Sequence, residues 1–341
     1  MKKILSAILC AVMLLSVLTF VACDKGETPA DTTADTTTST DSALKLGLGV
    51  DVVVKASDAT EDKNGAGQAT VTVAAVLVDE AGKIVKAFID CADNTVEYTL
   101  DGKAVANESF ATKYELGDAY NMVAYGGAKQ EWYKQADAFC ALIVGKTATE
   151  VKALVAEDNK GTEDVVNAGC TIFVADFAKA IEKAITNATE CGASAADTVK
   201  IGVSTAQTTK DASEDADGQN KVETTIFAAA VNAEGKVTAA TTDCVDVTFT
   251  FGANGASTFD ATKPVATKYE QGDAYNMVQY GGAKQEWYKQ ADAFSAACVG
   301  KTAADMAGLA GEAGKGNADL QAAGCTILVD GFIKAVSKIA K

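Results

Sequence analysis

The chain has 341 residues, 48% hydrophobic and 22% charged, which is enough for two ordinary domains and is not the composition of a disordered polymer. All 30 basic residues are lysine, histidine is absent, and the formal net charge is −16. This excludes histidine-based nucleophile relays, histidine-ligated metals and arginine forks for phosphate, and so acidic a chain repels nucleic acid.

Residues 1–22 read as an export signal: Lys2 and Lys3 lead, Ile4 to Val21 is almost unbroken apolar sequence, and Ala22 closes it. Phe20-Val21-Ala22-Cys23 resembles the lipobox of bacterial lipoproteins. That resemblance implies acylation at Cys23 and a lipid anchor in the membrane, with the protein on the extracytoplasmic face. Residues 23–43, rich in Thr, Asp, Ser and Ala, read as a flexible tether, because they bury too little apolar surface to offset their ordering entropy.

The rest is a duplication. Residues 112–139 and 267–294 share 26 of 28 positions, and 145–185 matches 300–340 at 19 of 41. The reading is a first repeat domain over 44–190, a linker over 191–198 and a second domain over 199–341. Each is expected to fold on its own, since each carries a full set of strands and helices.

Within the first copy, strand alternation covers 46–54. It continues through Val71, Val73, Ala75 and Leu77, and then 83–91, with a further strand expected at 95–100. From residue 112 the period becomes helical. Trp132, Ala136, Phe139 and Ile143 form one stripe on a helix over 128–144, which Gly145 ends. Thr147 to Glu150 is a capping box, repeated at Thr302 to Asp305, and Phe177, Ile181 and Ile185 mark a last helix. The predicted class is α+β: two tandem homologous domains, each a small antiparallel sheet followed by packed helices.

Few motifs carry chemistry. Gly145-Lys146-Thr147 and Gly300-Lys301-Thr302 look like the end of a phosphate loop, but Cys140 and Ser295 stand where its earlier glycine belongs, so they read as helix stops with caps. Residues 60–65 and 213–218 are acidic but lack the position-12 glutamate of a calcium loop, and read as hairpin turns. Without the signal cysteine and Cys23, seven cysteines remain and none makes a C-x-x-C pair, so they read as small buried apolar residues. Neither a metal site nor a catalytic constellation is expected. Tyr125 and Tyr280, beside Gly126 and Gly281, are candidates to stack on a flat ligand.

Asp164 to Thr171, followed by the helix from Phe177, resembles the end of bacterial FMN-binding domains, where an Asp and then Ser-Gly-Ala-Thr lead into a C-terminal helix. Asp319 to Thr326 repeats it, and the strand turns at Gly82-Lys83-Ile84 and Gly235-Lys236-Val237 are similar to the same family. Ser is replaced by Ala168 and Ala323, and Ala by Cys170 and Cys325. The resemblance implies that Gly169, Thr171, Gly324 and Thr326 belong to a flavin site with FMN as cofactor, the family's threonine being able to carry it as a phosphoester. The resulting expectation is an anchored extracytoplasmic protein that binds a flat redox ligand for extracellular electron transfer without catalysing turnover itself. The alternative is a solute-binding or surface interaction module with no cofactor.

Overall fold

The computed structural model describes residues 43–107 and 109–339. The expectations for residues 1–22, Cys23 and nearly all of the tether therefore lie outside the described residues. No helix among these is long and apolar enough to cross a membrane.

The first copy opens with β1 (Lys45–Ser57), β2 (Gly65–Val78) and β3 (Ile84–Tyr98), three long strands paired antiparallel in chain order. Two-residue strands β4 (Ala104–Val105) and β5 (Thr189–Glu190) finish the edges, giving the order β4-β3-β2-β1-β5. Its helices are α1 (Lys113–Leu116), α2 (Met122–Gly126), α3 (Trp132–Ile143), α4 (Ala148–Lys152), α5 (Glu163–Asn167) and α6 (Ala175–Thr186). The second copy repeats the plan with β6 (Thr198–Lys210), β7 (Gly218–Val231) and β8 (Val237–Phe251), an antiparallel sheet of three. Helices α7 (Lys268–Gln271), α8 (Met277–Gly281), α9 (Trp287–Cys298), α10 (Ala303–Met306), α11 (Ala318–Ala322) and α12 (Asp330–Lys338) follow. The class is α+β, with sheets first and helices after.

Local chemistry accounts for the boundaries. Thr60 and Lys63 exchange backbone hydrogen bonds to turn β1 into β2. Thr147 and Thr302 both complete their capping boxes, and Gly145 and Gly300 take left-handed backbone after α3 and α9. The expected break between strands at 91 and 95 is absent. Cys91, Ala92, Asp93 and Asn94 each pair with β2, so β3 runs through without interruption. The two polar residues there have partners: Asp93 meets Lys113 at 3.0 Å, and the Asn94 amide donates to Thr224 Oγ1 at 2.9 Å. Helix α3 begins at Trp132 rather than 128, because Glu131 spends its carboxylate on the N–H groups of Met122 and Val123.

The strands are apolar on both faces. Ala74, Val76 and Ile89 face Trp132, Phe139, Phe177 and Ile181 of the helices. Leu46, Leu48, Val71 and Val73 face the other way, and there they form one core with Val199, Ile201, Ile226 and Val245 of the second copy. The result is four layers, helices, sheet, sheet, helices, and the described residues make one compact unit. The two copies thus do not stand apart as the repeat suggested. A sheet whose second face is this apolar needs a cover, and each sheet covers the other.

Polar contacts pin the junction. The Asn220 amide donates to the Glu97 carbonyl at 2.8 Å, and Ala59 N–H donates to the Gly255 carbonyl at 2.8 Å. Helices α6 and α12 lie tight on β1 and β6 because Gly49 and Gly202 lack side chains. A Cβ at either would collide with the carbonyl of Ala180 or Ala335.

Candidate functional site

Among the described residues, the helices leave an opening over each sheet. In the first copy, a cavity of about 500 Å³ is walled by Thr72, Cys91, Lys113, Trp132, Thr171 and Phe177. In the second, one of about 570 Å³ is walled by their repeat equivalents Thr225, Cys244, Lys268, Trp287, Thr326 and Phe332. Both volumes are in the range of small-molecule sites.

The threonine wall is built by the turn after α5. Gly169 has φ 104° and Gly324 φ 107°, conformations that side-chain-bearing residues rarely adopt. The turn delivers Thr171 to Gln135, whose Oε1 accepts from both the Thr171 N–H (2.8 Å) and its hydroxyl (3.0 Å). Thr326 and Gln290 repeat this at 2.8 and 2.9 Å. The amide nitrogen of Gln135 donates to the Gln130 carbonyl at 2.9 Å, which fixes which way the amide faces. The hydroxyl proton is therefore held by an amide, not by a base.

Lys113 supplies the charge. Its ammonium lies 3.0 Å from Asp93 and 5.5 and 5.7 Å from the ring centres of Tyr120 and Trp132. Burial works against that charge, but the acidic groups around it outweigh burial and hold its pKa above the ordinary lysine value. Lys268 has two carboxylates, Glu223 at 3.2 Å and Asp246 at 3.3 Å, because Glu223 stands where the first copy has Thr70. Glu223, Cys244 and Asp246 bring three ligand-type atoms within 4.8 Å of one another, but the cation among them is the Lys268 ammonium.

Each lysine is carried on a short helix with a buried anchor. Thr112 caps α1 in a box with Glu115, and Asp90 Oδ1 accepts from the N–H groups of Cys91 (2.7 Å) and Tyr114 (3.1 Å). Asp243 does the same for Cys244 and Tyr269. Burial pushes both carboxyls up to about 7, against the hydrogen bonds that favour their charge. Burial likewise pushes the Cys91 thiol up to about 12, so it is an inert wall atom at neutral pH. The seven described cysteines are unbridged.

Of the residues singled out in the sequence, Thr171 and Gly126 line the first cavity and Thr326 the second. Gly281 lies in a groove adjoining the second, and Gly169 and Gly324 shape the turns. Tyr125 and Tyr280 are 89% and 80% exposed and line neither cavity; the rings in the walls are Trp132, Phe173 and Phe177 in the first and Trp287 and Phe332 in the second. Sequence reasoning missed Lys113, Gln135, Lys160 and Asp90 with their equivalents. Lys113 and Gln135 fall in the nearly identical block, where the aromatic residues drew attention from them.

No family model matches the chain, and no solved structure matches it. A chlorophenol reductase of Desulfitobacterium hafniense is 31% identical over 125 residues, 33% of this chain. The chain spans 38% of the length of that relative.

Proposed function

We propose that this chain is a lipid-anchored extracytoplasmic protein, acylated at Cys23, that holds one flat redox ligand of the FMN type in each copy. The observation that carries the reading is the recurrence of one cavity in both copies, with tryptophan, lysine, cysteine and threonine at matching positions. The residues fit such a ligand. An isoalloxazine ring suits a cavity of this size with an indole in its wall, and a threonine hydroxyl stands at its edge. A flavin supplies one- and two-electron transfer, and the protein's part is to hold it and shield it from solvent. The partial likeness to a protein named as a reductase agrees with redox chemistry.

The chain's own residues give no route to turnover. Glutamine holds the threonine hydroxyl, the cavity thiol is neutral, and histidine is absent. The proposed role is electron carriage between partners outside the membrane. A second reading, a surface interaction module, draws on the solvent-facing Tyr125, Tyr280 and Phe173.

Purification from the native host followed by an absorption spectrum and intact mass tests the reading. A yellow protein with a flavin spectrum is the expected result, and the intact mass tells whether the flavin is held with or without a bond to Thr171 or Thr326. A colourless protein that also leaves added FMN fluorescence unchanged overturns it in favour of the interaction module. Fatty-acid labelling lost in Cys23→Ala tests the anchor.

A further inference from the structure

The second cavity does not end at Thr326. A groove of about 440 Å³ continues from it, sharing Met277, Lys315, Thr326 and Ile327 with the cavity and running on past Gly281, Gly282 and Lys284. Its lining holds two lysines and no carboxylate, on a chain whose net charge is −16. The nearby Glu286 is turned away: its oxygens accept the N–H groups of Met277 and Val278 at 2.8 and 3.2 Å. In the first copy the same region merges with the main cavity, whose wall includes Gly126, Ala128 and Lys160, the last being the equivalent of Lys315. Lys129 is the equivalent of Lys284.

We infer that this groove receives the anionic, phosphate-bearing end of the ligand, with Lys284 and Lys315 as its counter-charges and Lys129 and Lys160 in the same role in the first copy. The inference rests on the flavin reading for the ring half of the ligand and adds the recognition of its tail. The division follows from the chemistry of the two spaces. The cavity's lysine, itself buried, is already paired with the partly exposed carboxylates of Glu223 and Asp246, whereas the groove lysines face solvent and have charge to offer. The paired glycines beside them, at the end of α8, leave the space for a ligand free of side chains. Thr326 stands where the two spaces meet, at the position from which a ring would reach one way and a phosphate the other.

Titrations of the full chain with FMN and with riboflavin, which lacks the phosphate, test this. FMN should bind at least about tenfold more tightly at low salt, the size expected of charge-assisted contacts. Alanine at Lys129, Lys160, Lys284 and Lys315 together should bring the two affinities within about twofold, chiefly by weakening FMN. Equal affinities in the wild type, or a preference that survives the substitutions, overturns the inference. A second arm uses inorganic pyrophosphate and the backbone amide resonances of Gly281 and Gly282. Shifts in these resonances without binding of either flavin would support the anion groove while removing the flavin reading. No shift, with no flavin bound, would remove both.

Discussion

The ammonium of Lys183, on the last helix of the first copy, lies 2.7 Å from the carboxylate of Glu270 in the second. The duplication repeats the pair in reverse: Lys338, on the last helix of the second copy, lies 2.9 Å from Glu115 in the first. Glu115 and Glu270 also complete the capping boxes of α1 and α7, the helices that carry Lys113 and Lys268. Each copy therefore steadies the helix on which the other's cavity lysine sits. These pairs are partly exposed, so each contributes only about 0.2–1 kcal/mol. A double-mutant cycle on Lys183→Ala and Glu270→Ala, measured by urea unfolding, is expected to give a coupling in that range and to shrink with added salt.

The shared core predicts a single unfolding event. Phe249 is 1% exposed, and its ring occupies the space a side chain at Gly67 of the other copy would need. Phe249→Ala should cost about 3–5 kcal/mol. Probes in either copy, Trp132 or Trp287, should report the same lowered midpoint. Separate transitions for the two tryptophans would contradict the four-layer core. For the same reason residues 44–190 alone are expected to self-associate through the uncovered face of β1 and β2, which light scattering would detect.

Asp90 and Asp243 predict a pH dependence whose sign is unusual for carboxylates. Their folded pKa is raised from 3.8 to about 7 by burial. Between those values the folded protein keeps protons that the unfolded chain releases, so their contribution to stability is largest in acid and falls as pH climbs toward 7. Asp90→Asn keeps an oxygen for the N–H groups of Cys91 and Tyr114 and cannot ionise. Relative to wild type, it should gain stability from pH 5 to about pH 7 in thermal melts and then level off. A constant difference across that range would show that Asp90 does not titrate there.

Gln135→Leu should take away the acceptor of the Thr171 N–H, at about 0.5–1.5 kcal/mol. It should also loosen the turn at Gly169 that places the threonine. The expected result is weakened ligand binding in the first copy with the second unaffected, read from quenching of the two tryptophans separately. Gln135→Glu keeps the acceptor for Thr171 but sets a carboxyl oxygen against the Gln130 carbonyl, so it should recover stability only in acid, where the protonated carboxyl can donate.

The sequence carried the class, the repeat and the helix ends set by Gly145, Gly300, Thr147 and Thr302, because these rest on local chemistry: capping threonines, left-handed glycines and apolar stripes. What it did not carry was the second face of the sheets. Alternation in β2 shows both sets of residues to be apolar, but it does not say what covers each. The cavities divided in the same way. Thr171 and Gly126 were legible through a motif and a glycine pair. Lys113 and Gln135 matter only through contacts made across the fold, with Asp93 on β3 and with Thr171 beyond α5. The tyrosines misled because exposure is not written in residue type.

The fusion of the two copies also changes what their pairing can become. Two separate chains meeting through such an interface would part on dilution and would have to carry identical cavities. Joined by the short run from Cys191 to Asp197, the halves stay together at any concentration and each is free to drift. The exchange of Thr70 for Glu223 already uses that freedom, placing a second carboxylate on the lysine of one cavity and not the other. A single polypeptide thus presents a matched pair of sites that need not remain equal, an asymmetry that a twofold assembly of identical chains does not permit.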